Sequence, residues 1–449
     1  MRRSLSLIIK TAVLLIIFTV LSQAGQTGKL AGVIKNSETG EPVIGANILI
    51  QGTHLGAAAD IDGYYYINNI PPGKYTVSVS AVGFAKTIIK EVVIKIDLTT
   101  DLNVDLVPES IQLGEDVVVT ATRPLITNDL TSTKATVSSQ DIEMMPVDNV
   151  NEVVNLQAGV VDGHFRGGRS NEVAYLVDGI PVTDVFSGAN AVEVENSAIR
   201  ELEVISGTFN AEYGQALSGV VNIVTKEGGE KFEGSVTTYA GTYLSNSSDL
   251  YPNLNKLNTD GIRDVQLSFS GPTPVNNLTY FTTARYYRND GAYYGKRVYQ
   301  PSDSNPYSPS GDEEYVKMNY DNRNTFNGKL TYSKPKYKVS YSLLYSGSEN
   351  KYYDHAFRWT PDGIMTHYST DMIHNLQLTF YPTQDIFSTL KFASSRYEFE
   401  GYLYEDPFDP RYVDPYQGIP TSQYTFRHGG QQSDRYNRFT HTYTGQWHI

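Results

Sequence analysis

The C-terminal half of the chain carries the pattern that most constrains its fold. Apolar and small polar side chains alternate along short segments, as where Val265, Leu267 and Phe269 alternate with polar residues. In the segment 336–347 only Leu344 breaks the alternation. Such a period of two predicts strands with one apolar and one polar face. Both a transmembrane barrel and a soluble sheet packed on one side fit this pattern.

The lengths of the connections distinguish these two alternatives. We predict eight strands, at residues 231–244, 261–271, 277–289, 322–334, 336–347, 372–382, 385–399 and 433–448. The long connections are 245–260, 290–321, 348–371 and 400–432, and the short ones are 272–276, 335 and 383–384. Long and short connections thus alternate strictly, as do the outer loops and periplasmic turns of outer-membrane barrels. We therefore predict a transmembrane antiparallel β-barrel over residues 230–449.

Composition changes in the same place. Of the 34 tyrosines, 6 precede Gly229 and 28 follow it, and tyrosine is common in the interface girdles and wet interiors of membrane barrels. Charged residues make up only 19% of the chain, and the net charge of -13 argues against nucleic acid as a partner. There is no cysteine, which excludes a disulfide scaffold and a thiolate metal site.

Residues 1–24 have the features of a secretory signal peptide. Met1-Arg2-Arg3 is a positive start, Thr11–Leu21 is a short apolar core, and a small-x-small sequence ends at Ala24. The core is too short to span a membrane comfortably, and Lys10 interrupts it. We expect an exported protein that is cleaved after Ala24 and has no helical anchor.

Three regions separate this signal from the barrel. Residues 28–107 show short strand patterns broken by turn residues, at the spacing of a small β-sandwich. Residues 108–135 form a Ser/Thr-rich linker with one strand-like island, and residues 136–229 mix helix and strand. The predicted fold class is therefore mainly β: a small sandwich, an α+β domain and about eight strands of a barrel.

Local signals place the elements of this α+β region. Ser138 or Ser139 can cap a first short helix, and Asp148 can cap a second one. Asp178-Gly179 lies between two apolar runs, which predicts a β-hairpin with a tight turn.

Two sets of residues here resemble the plug-domain signature of TonB-dependent outer-membrane receptors. The resemblance rests on Arg166, Gly167, Asp178, Gly179, Glu203, Gly207, Tyr213, Gly214, Gly219 and Asn222. With the barrel pattern, the resemblance covers nearly the whole chain. It implies a plug within a barrel of about 22 strands, so eight strands predict a truncated chain. We expect these residues to hold the plug in place rather than to bind ligand.

Residues 29–107 resemble the carboxypeptidase-regulatory-like domain, a transthyretin-like sandwich that is non-catalytic. The resemblance rests on the segment 39–48, on Asp60-Ile61-Asp62-Gly63 and on similar short motifs. The acidic segment invites a calcium-loop interpretation, but the first and last ligand positions would be Ala58 and Asn69. A turn that starts a strand is the preferred interpretation.

The island in the linker resembles a TonB box. It consists of Asp116, Val117, Val118, Val119, Thr120 and Ala121. A short β-prone segment in a linker can add as a strand to the sheet edge of an inner-membrane partner. The alternative is that it forms the last strand of the preceding domain.

Enzymatic motifs do not occur. There is no His-Glu-x-x-His, Gly-x-Ser-x-Gly or Walker A pattern, so we expect neither an enzyme, a cofactor nor a metal site. The long loops are rich in Tyr, Asp, Asn and Pro, and Tyr352, Tyr353, His355 and Trp359 form a candidate ligand-capture loop. Simple solvent exposure is the alternative for these side chains.

The resemblance implies an outer-membrane receptor for TonB-dependent active uptake of a siderophore, vitamin B12, a glycan or a peptide. Its expected partners are the TonB energy-coupling complex of the inner membrane, outer-membrane lipid and an extracellular substrate, with a surface lipoprotein as a candidate. The N-terminal domain and plug would face the periplasm. A ligand-binding, signalling or surface-anchoring receptor without transport is the alternative.

Overall fold

The protein is described here from a computed structural model. It describes residues 27–96, 98–108, 117–120, 133–184, 186, 188, 190–207, 214, 216–257, 261–382, 387–414, 416–418 and 426–448. The signal peptide predicted for residues 1–24 lies outside these ranges, as does most of the linker. In the part of the chain that is described, no helix is both long and apolar enough to cross a membrane.

The N-terminal region folds as two packed β-sheets. Its strands are β1 (Gly28–Asn36), β2 (Asn47–Ile50), β3 (Gly56–Ala58), β4 (Tyr64–Ile70), β5 (Gly73–Ser80), β6 (Thr87–Ile94), β7 (Thr99–Asp101), β8 (Val104–Leu106) and β9 (Val117–Thr120). In one sheet β1 pairs with β4, β7 and β8, and the other has the order β3-β2-β5-β6-β9. Ile34, Ile48 and Val79 are fully buried between them. The predicted β-sandwich is confirmed.

The acidic segment of the sandwich forms the predicted turn. A carboxylate oxygen of Asp60 accepts hydrogen bonds from the backbone N–H groups of Asp62 (3.0 Å) and Tyr64 (2.8 Å). Gly63 has a φ of 75°, which a residue with a side chain rarely adopts. Strand β4 begins immediately afterwards at Tyr64.

The next region is an α+β domain, which we call the plug. Its elements are β10 (Thr133–Ser138), α1 (Ser139–Met144), α2 (Val150–Asn155), β11 (Val160–Val161), β12 (His164–Phe165), β13 (Val173–Val177), β14 (Ile180–Pro181), β15 (Ile199–Ser206) and β16 (Gly219–Thr225). The main sheet has the order β10-β15-β16-β13-β14. Every residue of its central strand β16 is buried, as expected for a strand covered on both faces.

One of the two predicted helix caps is correct. The Ser138 hydroxyl accepts a hydrogen bond from the Asp141 N–H, and the Asp141 carboxylate accepts one from the Ser138 N–H, which completes a capping box. The assignment of Asp148 to the second cap was wrong. The helix begins one residue later than expected, so Asn149 accepts from the Glu152 N–H at 3.0 Å.

The predicted hairpin is also present. Asp178 and Gly179 connect β13 to β14 and have positive φ values of 48° and 73°. Positive φ at both central positions defines the turn whose twist matches the flanking strands.

The C-terminal region forms a single antiparallel sheet of eight strands in chain order. Its strands and those of its loops are β17 (Glu233–Gly241), β18 (Ile262–Pro272), β19 (Leu278–Asn289), β20 (Tyr294–Lys296), β21 (Tyr315–Lys317), β22 (Tyr320–Lys334), β23 (Tyr337–Lys351), β24 (Thr366–Phe380), β25 (Ser388–Tyr402) and β26 (Tyr436–His448). The eight predicted barrel strands are all present. Strands β20 and β21 were not predicted; they form a separate hairpin within the second long connection.

The two faces of the eight-stranded sheet differ as the alternation predicts. Apolar residues such as Leu330, Leu376 and Phe392 are exposed on one face. Polar residues such as Thr283 and Ser340 are buried on the other, which faces the plug. The sheet therefore presents an apolar outer face and a polar inner face, as in outer-membrane barrels.

Candidate functional site

The plug and the barrel sheet share an apolar contact. Phe281, Leu344, Ile373 and Tyr397 of the barrel belong to the same buried cluster as the plug core. This explains why Leu344 breaks the alternation of its strand. It faces inward, where most of its neighbours are polar, because it packs against the plug rather than against water.

Around this contact, buried ion pairs connect the plug to the barrel. The carboxylate of Asp178 accepts from the backbone N–H and the hydroxyl of Thr225, at 3.0 and 2.7 Å. The ammonium group of Lys329 on β22 donates to the same carboxylate at 3.1 Å. Lys391 on β25 donates to the backbone carbonyl of Asp178 at 3.3 Å. The turn of the plug hairpin is thereby attached to two barrel strands.

Glu227 extends this group of charges. Its carboxylate lies 2.7 Å from the ammonium group of Lys338 and 3.4 Å from that of Lys329. Burial, the largest single cause, raises the pKa of Glu227, but the attraction of Lys338, Lys329 and Arg200 and the hydrogen bond from Lys338 together outweigh it, so the pKa lies well below its ordinary value. Glu227 therefore carries its negative charge at any physiological pH.

A second group of charges surrounds Arg285 on β19. Its guanidinium donates two hydrogen bonds to Asp264 of the barrel, at 2.9 and 2.8 Å. It also donates to Glu195 (3.3 Å) and to the backbone carbonyl of Asp148 (3.1 Å), both in the plug. Glu195 accepts a further hydrogen bond from Thr325 of β22 at 2.5 Å. One side chain thus joins two plug segments to the barrel wall.

Two more pairs complete the interface. Arg323 lies 2.6 Å from Glu193, and Arg438 lies 3.2 Å from Asp184. In each of these plug–barrel ion pairs the carboxylate belongs to the plug and the cation to the barrel. The plug therefore presents a negative surface to a positive inner wall. Sequence reasoning missed these cations, although Arg285 and Lys329 are charged residues in the middle of strands whose other charges lie nearer the ends.

Several residues of the plug signature shape the plug backbone. A Cβ atom on Gly219 would lie 2.3 Å from the Phe165 ring, and one on Gly207 would lie 2.8 Å from the Arg166 guanidinium. Arg166 and Gly167 have φ values of 47° and 81° and form a tight turn. Backbone shape accounts for these four positions without any ligand.

Of the remaining signature residues, Glu203 and Asn222 lie inside the plug sheet. Glu203 is fully buried, accepts from the Asn222 amide at 3.2 Å and forms an ion pair with Lys134. Gly214 lies in a turn in open space. Tyr213 lies outside the described residues.

The box-like segment lies on the sandwich. Val117, Val118, Val119 and Thr120 form β9, which runs parallel to β6 at the edge of the sheet. Asp116 and Ala121 lie outside the described residues. This position corresponds to the alternative in which the segment is the last strand of the preceding domain.

The long connections lie at one end of the barrel strands. Aromatic rings from all four of them contact one another in a continuous series, which we call the ring chain. Consecutive ring centroids are 4.7 to 6.4 Å apart, and the order is Tyr251, Tyr293, Tyr353, His355, Phe426, Trp359, Tyr299 and His428. Three of the four predicted loop residues belong to this ring chain. Tyr352 does not; its ring lies 5.1 Å from that of His367 instead.

A small buried core supports the ring chain. Met318, Phe357 and Ile364 pack together beneath Tyr353. Tyr251, Tyr293 and Trp359 remain about two-fifths exposed, so their faces are open to a ligand. Aromatic faces of this kind stack on planar or cationic groups. The clustering of rings from different loops could not be read from the sequence, where only the richness of the loops in tyrosine was visible.

The eight-stranded sheet has an apolar outer face, and buried ion pairs hold a separate domain against its inner face. This arrangement defines the class of plugged outer-membrane barrels. Two family models match the chain: the CarboxypepD_reg-like domain over residues 30–119 and the TonB-dependent receptor plug domain over residues 127–221. The chain therefore contains a CarboxypepD_reg-like domain followed by the plug domain of TonB-dependent receptors.

Three proteins with similar sequences are named as transporters or TonB-dependent receptors. The TonB-dependent transporter Oar of Myxococcus xanthus is 25% identical over 47% of this chain and 21% of its own length. The vitamin B12 transporter BtuB of Vibrio vulnificus is 31% identical over 29% of this chain and 23% of its own length. The TonB-dependent receptor SusC of Bacteroides thetaiotaomicron is 26% identical over 50% of this chain and 24% of its own length. The chain thus spans about a quarter of these relatives.

Among solved structures, the outer-membrane transporter YddB from Escherichia coli superposes with a TM-score of 0.49 and 12% identity. The superposition covers 70% of this chain and 45% of YddB. The siderophore receptor PirA from Acinetobacter baumannii gives a TM-score of 0.46 and 18% identity over the same shares of the two chains.

Proposed function

We propose that this chain belongs to a receptor that takes up an extracellular substrate across the outer membrane, driven by the TonB energy-coupling complex. The observation that carries the proposal is the plug–barrel interface. Its apolar contact is confined to a few barrel side chains, and the rest consists of ion pairs and hydrogen bonds that water can replace when the plug moves. A domain held in this way can separate from its wall under a pulling force without unfolding the barrel.

The proposed orientation follows from the loop lengths. The short turns face the periplasm, together with the sandwich and the lower side of the plug, and the ring chain faces outward. We assign residues 1–24 to a signal peptide, 28–107 to the sandwich and 108–135 to the linker. Residues 136–229 are then the plug and 230–449 the barrel portion.

In this arrangement the ring chain captures substrate and the box-like segment receives the energy-coupling protein. The substrate class stays open between a siderophore, vitamin B12, a glycan and a peptide; relatives include a vitamin B12 transporter and SusC. Backbone hydrogen bonds to the segment would transmit a pulling force through the linker to β10. The ion pairs of Asp178 and Glu227 would then break first, because they lie at the end of the barrel strands that carries the short turns.

The test replaces Val118 with Pro, which removes a backbone donor from the segment. Thr127→Pro in the same linker is the matched control. The receptor is expressed in an outer membrane at equal levels, and uptake of labelled cyanocobalamin, ferric siderophores and maltooligosaccharides is measured with and without a protonophore. We expect at least one probe to enter in a protonophore-sensitive manner, and Val118→Pro to reduce that uptake at least tenfold.

Two results would contradict the proposal in different ways. Unchanged uptake by the Val118→Pro variant would show that the segment is not the contact with the energy-coupling protein. Tight binding of a probe to the receptor, without any protonophore-sensitive uptake, would favour the alternative of a receptor that does not transport.

A further inference from the structure

Strand β9 gives the box-like segment a partner within its own chain. Its four residues pair in parallel register with β6, from Thr87 opposite Val117 to Lys90 opposite Thr120. β9 is an edge strand of the five-stranded sheet. Without it, the outer side of β6 would present unpaired N–H and C=O groups, which readily accept another strand.

β6 bends at the end of the part that pairs with β9. In its ladder with β5, Tyr75 lies opposite Val92 and Val77 opposite Ile89, so two residues of β6 face one residue of β5. One of these two, Glu91, has a φ of 61°. Such a β-bulge bends its strand and ends regular pairing on the other side. Among the described residues, four positions of the β6 edge, before the bulge, bind β9.

The sandwich that carries this edge is attached to the plug. The ammonium group of Lys134 on β10 donates to the carbonyl of Ile96, two residues after β6, at 2.9 Å. Lys74 of the sandwich donates to Gln140 of the plug at 2.7 Å. The β6 edge is thus fixed close to the start of β10, which is also where the linker after β9 leads.

We infer that the β6 edge is a strand-binding surface that stores the box-like segment and competes with the energy-coupling protein for it. Successive residues of a strand direct their backbone N–H and C=O groups to opposite sides, so β9 on β6 can offer only two residues to a second strand. Binding of the whole segment requires its release from the sandwich. The inference rests on the proposed function, in which this segment is the contact with the energy-coupling protein.

A disulfide lock tests the competition. The chain has no cysteine, so Ile88→Cys with Val118→Cys places the only two thiols at directly opposed positions of β6 and β9. Asn47→Cys with Ser80→Cys, opposed on β2 and β5, is the control that leaves β9 free. Each full-length variant is purified oxidised and reduced. The probe is the purified periplasmic domain of TonB, whose binding is measured by surface capture.

We expect oxidation to weaken binding at least tenfold for the β6–β9 pair, and dithiothreitol to restore it. The control pair should bind equally well in both states. Equal binding by the oxidised and reduced lock would overturn the storage of the segment, as would failure of the Ile88–Val118 pair to oxidise when the control pair does. Either result would leave the proposed function intact if Val118→Pro still abolishes binding.

Hydrogen exchange provides a second measurement that needs no partner. Val118→Pro should accelerate exchange of the backbone amides of residues 87–90 that face β9, whereas Thr127→Pro should not. If the wild-type protein exchanges these amides as fast as Val118→Pro does, β9 is not held on β6 and the inference fails. If binding of the TonB domain is insensitive to Val118→Pro while these amides respond to it, the proposed function fails and the strand pairing stands.

Discussion

The ammonium group of Lys329, on a barrel strand, lies 3.1 Å from the carboxylate of Asp178, at the turn of the plug hairpin. Both side chains are less than a tenth exposed. The two residues are 151 positions apart, and their contact places a positive barrel wall against a negative plug. The same polarity recurs at the other plug–barrel ion pairs.

Replacing Lys329 with Met should strongly destabilise the protein. It leaves the buried carboxylate of Asp178 without its cation, and breaking a buried pair on one side costs about 3–5 kcal/mol. The measurement is the apparent free energy of unfolding in detergent. Lys334→Met, near the end of the same strand, should cost less than about 1 kcal/mol.

The double variant Asp178→Asn with Lys329→Met separates charge from packing. It should be more stable than Lys329→Met alone, because the carboxylate that lost its Lys329 partner is no longer charged. If the double variant is the less stable of the two, the charge pair does not govern this contact.

Arg285→Lys should weaken the plug contact although the charge is kept. A lysine cannot reproduce the forked hydrogen bonds to Asp264 while also reaching Glu195, so we expect a loss of about 2 kcal/mol. The readout is again unfolding in detergent. Arg288→Lys on the same strand is the control: the Arg288 side chain is about two-fifths exposed, and Lys317 also pairs with its partner Asp290, so the loss should be small. Equal losses for both variants would contradict the bridging role of Arg285.

Gly219→Ala should destabilise the plug, and Gly214→Ala should not. An added methyl group at Gly219 would lie 2.3 Å from the Phe165 ring, whereas nothing lies within 4 Å of one at Gly214. Overpacking of a buried site costs about 1–3 kcal/mol. Limited proteolysis and thermal melting of the two purified variants provide the comparison. A Gly219→Ala protein as resistant as Gly214→Ala would mean that Phe165 can move aside.

The two tryptophans allow a direct test of the ring chain. Trp447→Phe leaves Trp359, in the ring chain, as the single fluorescent tryptophan. Addition of a transported probe should change its emission. In that background Tyr353→Ala should lower the affinity about tenfold, because a lost aromatic contact costs about 1.4 kcal/mol. Tyr352→Ala is the control outside the ring chain. An unchanged spectrum at a saturating probe concentration would place the ligand elsewhere.

Stability should depend on pH through Glu201 of the plug. Burial, and then the nearby carboxylate of Glu203, raises the pKa of Glu201 to about 8 from an ordinary value of 4.5. Lys134 and Lys95 and a hydrogen bond from Ile96 act in the opposite direction. The folded protein therefore holds a proton that the unfolded chain releases, so stability should decline as pH rises from about 4.5 to about 8.

Glu201→Gln removes the titrating group at nearly constant shape. Its melting temperature should exceed that of the wild type above pH 8, and the two should converge near pH 5, measured in one detergent. Glu143→Gln, at an exposed plug position, should follow the wild-type profile. Parallel profiles for Glu201→Gln and wild type would show that another group governs the pH dependence.

Local patterns were sufficient to predict most of the fold. The eight barrel strands follow from a period of two along each segment, and their order follows from the lengths of the turns between them. The Asp178-Gly179 turn and the Ser138 cap depend on conformations that a few neighbouring residues decide. The cap at Asn149 shows the limit of such signals, since two adjacent residues can both cap and a shift by one residue selects between them.

The functional contacts depend on residues that are distant in sequence. No local rule assigns Lys329 to Asp178, or Phe426 to both His355 and Trp359. The place of Val117–Thr120 was left open between a free box and a last strand, because its sequence is prone to pair with any available edge and only the folded sandwich provides one.

The sequence by itself therefore determined the type of architecture: a sandwich, a plug and barrel strands whose loops and turns alternate. Only the tertiary structure decided which charges meet at the plug wall, which rings meet above it and where the box-like segment lies. The physical reason is that periodicity and turn chemistry act over a few residues. Ion pairs, ring contacts and edge pairing act through space, and they exist only once the chain has brought distant segments together.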